Sequence, residues 1–171
     1  AIAGCDINED AIRTAKEIFK NLTMGEKGNG PKEYEENPSR QELRVFGELH
    51  LKQAQLDDIE FKVGSADALP FHGDSFDLVL TDAMMIYIDA DKIARVLREI
   101  RRVGYNKFMF VEFHATSFFK RLGLKWASKK YNAYDYGKLL AKYNFKNISI
   151  YKMSKELWPG QPWETFGHII T

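Results

Sequence analysis

The chain has 171 residues, enough for one domain with a buried core. Hydrophobic residues make up 44% and charged residues 29%, and Cys5 is the only cysteine, so a disordered tail, a collagen-like rod and an intrachain disulfide scaffold are excluded. The net charge of +1 conceals a split: residues 1–100 hold 12 Lys/Arg against 20 Asp/Glu, whereas residues 101–171 hold 13 against 4. Such asymmetry suits either a ligand field or a basic docking face.

The opening "AIAGCDI" is a mostly apolar run closed by an acid, the pattern of the end of a buried strand. Asn8 suits a helix N-cap, with Glu9 and Asp10 in the first turn. Ala11, Ile12, Ala15, Ile18, Phe19 and Leu22 recur at helical spacing and predict an amphipathic helix over 9–22. Residues 23–58 read as an insertion, a Gly- and Pro-bearing loop followed by a helix at Leu43–Leu56. Strands are predicted at 59–65, 75–82, 107–114, 147–153 and 166–171, and helices at 89–103 and 134–143. Ile93, Val96, Leu97 and Ile100 should face inward. The alternation describes a single α/β domain with a doubly wound, mostly parallel sheet covered on both faces. The last two strands, with no room for a helix between them, should pair antiparallel.

Ligands of such sheets bind outside the carboxyl ends of the strands. Asp6 follows the first strand, where a carboxylate can accept both hydroxyls of a ribose; capping the next helix is an equally ordinary use. "GSADALPFHGDSFDLVL" at 64–80 begins with a glycine that lets the backbone turn sharply or approach a ligand. Ser65, the Ala66 amide and Asp67 could address a purine edge, with Leu69, Pro70 and Phe71 anchoring the loop. Past the next strand lies "TDAMMIYID" at 81–89, in which Met84, Met85 and Tyr87 suit either an apolar pocket or core packing.

The 64–80 string resembles the adenine-side motif of class I S-adenosylmethionine-dependent methyltransferases, in their methyltransferase-11/25-like small-molecule group. "AGCDINEDAIRTAK" is similar to the family's second strand and ribose acid, "IARVLREIRRV" to its helix after the fourth strand, and "YGKLLAKYNFKNISIYKM" with "FGHIIT" to its closing elements. The resemblance implies a Rossmann-like three-layer α/β/α fold and S-adenosylmethionine as cofactor. It implies Asp6 on the ribose, Ile7 on the adenine face, Ser65, Ala66 and Asp67 at the adenine edge, and Thr81 near the methionine end. The family more often carries Asp where Ser65 stands, leaving open which of Ser65 and Asp67 meets the exocyclic amine. The family's glycine-rich turn and first strand precede its ribose acid, and no such turn precedes Asp6. The expectation is an N-terminally incomplete domain that by itself binds the cofactor poorly.

Base N-methyltransferases place Asp/Asn-Pro-Pro-aromatic where this chain has Asp82, Ala83, Met84 and Met85, so that route is disfavoured. The insertion "HATSFFKRLGLKWASKKYNAY" puts Phe119, Leu122 and Trp126 on one helical face and Lys120, Arg121, Lys125, Lys129 and Lys130 mostly elsewhere. It reads as a basic cover for an anionic substrate or as a solvated face with an apolar stripe turned inward. His114, at a strand end, is a candidate general base or a simple hydrogen-bonding partner. Methyl transfer needs no strong base, because alignment on an activated sulfonium supplies much of the rate. The expected acceptor is a small molecule, met by Met84, Tyr87 and His114. The alternatives are an RNA or protein acceptor docked by residues 120–130, or a non-catalytic binding subunit. Salt-sensitive RNA binding lost on neutralising Lys129 and Lys130 would favour the macromolecule. No CxxC pair or His–acid cluster suggests a metal. No apolar run approaches the ~18–20 residues of a membrane helix and no signal segment opens the chain, so a cytoplasmic location is expected.

Overall fold

The computed structural model describes residues 2–23 and 59–171. Its chain divides into two compact units, Ala1–Ser65 and Ala66–Thr171. The expected loop beyond Thr23 and the helix at Leu43–Leu56 lie outside the described residues.

In the first unit, β1 (Ile2–Asp6) leads into α1 (Glu9–Thr23) and pairs in parallel with β2 (Ile59–Val63), Asp6 opposite Val63. Asn8 is the cap that the sequence predicts, its Oδ1 accepting from the Asp10 amide at 2.9 Å. Ile12 is buried and Ala15 half-buried, as expected, but Ile18 is exposed. Six residues beyond Ile12, it falls about 120° around the helix.

The second unit holds a four-stranded sheet of order β3-β4-β6-β5, built from β3 (Phe76–Asp82), β4 (Gly104–Phe113), β5 (Ile150–Lys152) and β6 (Gly167–Ile170). β3 and β4 run parallel, whereas β6 is antiparallel to both β4 and β5. The mixed α/β architecture and the antiparallel closing strand match the sequence reading. Between the strands lie α2 (Ile93–Val103), α3 (Phe118–Ser128), α4 (Tyr136–Lys142) and the single turn α5 (Trp163–Phe166).

All four α2 residues expected to face inward are buried, together with Val103. Ile93, Val96, Leu97 and Ile100 pack with Met85, Phe110, Tyr136, Leu140 and Ile170 in one cluster. Each such side chain contributes on the order of 1.5–3 kcal/mol by leaving water. α2 starts four residues later than predicted. Its approach is a turn in which the Asp89 carbonyl accepts from the amides of Lys92 and Ile93, while the Asp89 carboxylate accepts from Lys125 Nζ at 3.0 Å. β4 starts earlier than predicted, directly after α2, with Gly104 paired opposite Phe76 and buried where a Cβ would stand 2.5 Å from Val79 Cγ2.

The reading of α3 with its apolar stripe turned inward is corrected by its rotation. Phe119 is 81% exposed, Trp126 79% and Leu122 42%, whereas Leu124 is buried. Ser117, Arg121, Leu124 and Ser128 form the inner face at helical spacing. Ser117 caps the helix, Arg121 Nη1 donates to the carbonyls of Ala115 and Thr116 at 2.8 and 2.9 Å, and Ser128 Oγ donates to Leu124 O at 2.9 Å. These polar fastenings, with the Lys125–Asp89 pair, fix the helix with its aromatics outward.

Candidate active site

The turn that follows β3 is organised by one carboxylate. Glu112, near the carboxyl end of β4, is completely buried. Its Oε1 accepts from Thr81 Oγ1 at 2.9 Å and from the amides of Met84 and Met85 at 3.2 and 3.1 Å, and Oε2 accepts from the Ile86 amide at 3.1 Å. Burial pushes its pKa up to about 7, against the pull of those donors toward the charged form. Thr81 is therefore buried with its hydroxyl turned to Glu112. Met85 is core, Met84 is partly buried against the core cluster, and Tyr87 is 57% exposed with its ring 5.5 Å from that of Tyr131.

The loop of the 64–80 motif is held from α2. Arg102 donates through Nη1 to Phe71 O at 2.7 Å and through Nη2 to Leu69 O at 3.0 Å, while its Nε and Nη2 each donate at 2.7 Å to the Glu99 carboxylate. Glu99 also accepts from the Leu69 amide at 2.8 Å. The Arg102 hydrogen bonds hold the Glu99 carboxyl below its ordinary range. Asp67 accepts from Arg95 Nε at 3.2 Å, so its carboxylate meets a guanidinium, and Ala66 packs partly buried against the core cluster. The anchoring expected of Leu69, Pro70 and Phe71 is thus strongly polar and comes from Glu99 and Arg102, residues that helical spacing alone did not single out.

In the first unit, Asp6 stands exposed at the carboxyl end of β1. Its Oδ1 accepts from the Asn8 amide at 2.7 Å, and its carbonyl accepts from the Gly64 amide at 2.9 Å. Capping α1 is the work of Asn8, which separates the two uses the sequence left open for Asp6. Ile7 beside it is 73% exposed, and Ser65 follows Gly64 half-buried. Asp6, Ile7 and Ser65 thus belong to the first unit, and Ala66, Asp67 and Thr81 to the second.

At the carboxyl end of β4, His114 is half-buried and its Nδ1 accepts from the Tyr136 amide at 3.2 Å. It borders a cavity of about 320 Å³ shared with His168, Lys120 and Lys152. His168 is marked in the sequence only as a polar side chain within the apolar "FGHIIT". Trp163 packs edge-on against Phe113 at 4.5 Å and stacks with Trp158 at 4.7 Å. Among the described residues no cluster of His, Cys, Asp or Glu could hold a metal, and no helix is long and apolar enough to cross a membrane.

Residues 38–105 match the family described as "Methyltransferase domain". That span contains the 64–80 motif, Glu99 and Arg102, and not Asp6. No curated protein matches the chain. Among solved structures it is similar to the PH0226 protein of Pyrococcus horikoshii, at 20% identity and a TM-score of 0.58 over 99% of this chain and 69% of that one. It is likewise similar to a SAM-dependent methyltransferase from Methanosarcina mazei, at 18% identity and 0.58 over 98% of this chain and 78% of that one. A third, an S-adenosylmethionine-dependent methyltransferase from Mesorhizobium loti, shares 13% identity at 0.54, covering 99% and 78%. At such identities the structures speak for the fold, and the matched segment carries the family motif. Together they give this chain the fold of those methyltransferases, with a methyltransferase domain matched over residues 38–105.

Proposed function

We propose that the chain transfers a methyl group from S-adenosylmethionine to a small-molecule acceptor. The observation that carries this reading is Asp6: a carboxylate at a strand's carboxyl end, exposed, and relieved of helix capping by Asn8. Its Oδ2 has no partner among the described residues and suits the two hydroxyls of a ribose, and the exposed Ile7 suits an adenine face. In the second unit, Ala66 and Asp67 sit on a loop that Arg95, Glu99 and Arg102 hold in place, which suits recognition of a purine edge. Thr81, held by Glu112, fixes the end of β3 on the methionine side. Each unit by itself thus carries residues that suit a part of the cofactor.

When bound, S-adenosylmethionine supplies a methyl group on an electrophilic sulfonium. The chain's own work is to position and to shield. Glu112 fastens Thr81 to the Met84–Ile86 turn, so the segment after β3 meets an acceptor with its shape already set. Met84 and Tyr87 offer apolar and aromatic surface from that turn. His114 stands at the carboxyl end of β4, beside a cavity of the size that small ligands occupy.

Calorimetric titration of the full chain with S-adenosylmethionine tests the reading. Asp6→Ala should weaken binding by roughly ten- to a hundredfold, the loss of charge-assisted hydrogen bonds to a ribose, with an unchanged urea midpoint. Equal affinity in the variant sinks the assignment of Asp6.

A further inference from the structure

The cavity at the end of β4 has a chemistry that methyl transfer does not itself require. β4 and β6 set His168 opposite Glu112, and β6 and β5 set Lys152 opposite His168. Directly opposed residues share a face of a sheet, and His114, immediately past the end of β4, follows Glu112 by two positions. A row of polar side chains thus crosses three strands at one end of the sheet. Glu112 is its buried member, turned to Thr81 and the amides after β3. The others reach the cavity, with the His114 and His168 rings 5.0 Å apart and Lys120 entering from the first turn of α3. Ser117 adds a hydroxyl group, whereas that of Thr165 donates to Gln161 Oε1 at 2.6 Å. No carboxylate lies on the wall, and Lys120 and Lys152 have no ion-pair partner among the described residues. Asp135, the acid that faces His114 from the start of α4, is held by the Lys138 amide at 3.4 Å and by Lys138 Nζ at 3.6 Å.

We infer that this cavity receives the carboxylate or phosphate group of the methyl acceptor, an assignment that rests on the proposed methyl transfer and names the acceptor's class. Heavy-atom geometry sets the hydrogen-bonding roles. Because the Tyr136 amide donates to His114 Nδ1, neutral His114 carries its proton on Nε2 and is a donor there. His168 Nδ1 lies 2.8 Å from Phe166 O and must be the donor, so its Nε2 becomes a second donor on protonation.

Burial and neighbouring positive charge both disfavour protonation along this wall. Burial first, and then His168, lowers the pKa of His114; Arg121 adds to this and Asp135 opposes it. His168 is lowered by burial and by Lys152, against the pull of the Phe166 carbonyl, and Lys152 by burial and by Lys120. An anion seated among them reverses the like-charge contributions and draws a proton onto the pair.

The test is a titration of the full chain followed through its histidine 1H–15N signals. Inorganic phosphate forms one arm and acetate the other, with chloride holding ionic strength constant. The inference expects at least one anion to shift the His114 and His168 signals saturably and to raise both pKa values; the arm that does so names the group. Lys152→Gln and Lys120→Gln, both at exposed positions, should each weaken that binding about tenfold, and Lys152→Arg should restore it. Shifts no different from those with chloride alone in both arms, or Gln variants that bind as tightly as the parent, overturn the anion site. Calorimetry with S-adenosylmethionine on the same samples separates the two readings. Cofactor binding with unresponsive histidines overturns the anion site alone. Anion binding without cofactor binding leaves the anion site standing on its own evidence, because weak cofactor binding by this chain is what its sequence leads one to expect.

Discussion

Glu112 carries opposing demands that a titration can separate. Four donors favour its charged form, and complete burial favours the neutral one, leaving its pKa at about 7 against 4.5 for an ordinary glutamate. Because the folded value is raised, the native state holds a proton that the unfolded chain releases between those two values. This residue's contribution to stability is fully present below pH 4.5 and is lost as pH rises through about 7, an effect of about 3 kcal/mol. His114 and His168, with lowered pKa values, act in the opposite sense: their contribution is present above pH 6.5 and is lost as pH falls through their folded values. The informative quantity is therefore the difference between parent and Glu112→Gln in urea melts from pH 4 to 8. The glutamine variant should lack the decline of the parent toward neutral pH. Glu112→Ala leaves the Thr81 hydroxyl and three amides without their acceptor and should cost about 3–5 kcal/mol, whereas Gln keeps one oxygen and costs less. Parallel pH profiles for parent and Gln would overturn the account.

At the scale of elements, α3 shows how a helix can be rotated by its polar residues. Apolar periodicity alone sets Phe119, Leu122 and Trp126 against the core, but Ser117, Arg121, Ser128 and Lys125 each have a specific partner that turns that stripe out. Two sets of substitutions distinguish the orientations. Leu124→Ala should cost about 2–3 kcal/mol in urea denaturation, as expected for truncating a buried leucine. Phe119→Ser and Trp126→Ser should each stay within about 0.5 kcal/mol of the parent, as exposed positions do. A large loss from Trp126→Ser with a neutral Leu124→Ala would put the stripe inside. The same contest between pattern and partner explains the start of α2. Asp89 suits a helix start by composition, yet its carboxylate is taken by Lys125 and Asn132, and the helix waits until Ile93.

Across the whole molecule, legibility followed how local each determinant was. The α2 face, the Asn8 cap and the antiparallel closing pair were readable because each is set by residues near in sequence and by a period or cap rule. The methyltransferase motif at 64–80 was readable as a string. Its fastening by Glu99 and Arg102, the commitment of Thr81 to Glu112, and the meeting of His114 with His168 depend on pairings 30 to 54 residues apart, which no spacing rule carries. The distribution of buried side chains also bears on how the two units open. In the second unit a continuous cluster joins α2, α4, β4 and β6, with Leu97, Tyr136, Leu140, Phe110 and Ile170 at 1% exposure or less. In the first, Ile12 is the single buried hydrophobic residue among those described, and Ile2, Ile7, Ile18 and Val63 are exposed. Local opening free energy follows buried apolar contact, so the amides of β1 and β2 should exchange through cheaper openings than those of β4 and β6. Native-state hydrogen exchange over a series of sub-denaturing urea concentrations measures this directly. The expected pattern is a shallow urea dependence and faster exchange for Ala3–Cys5 and Phe61–Val63, against steep, near-global behaviour for Phe110–Glu112 and Ile169. Saturating S-adenosylmethionine should slow exchange at Asp6 and Ile7 if the ribose assignment holds, because a ligand stabilises the closed form it binds. Convergence of both sets of amides on one opening free energy would show a single cooperative unit, with the sparse core of β1–β2 no weaker than the rest.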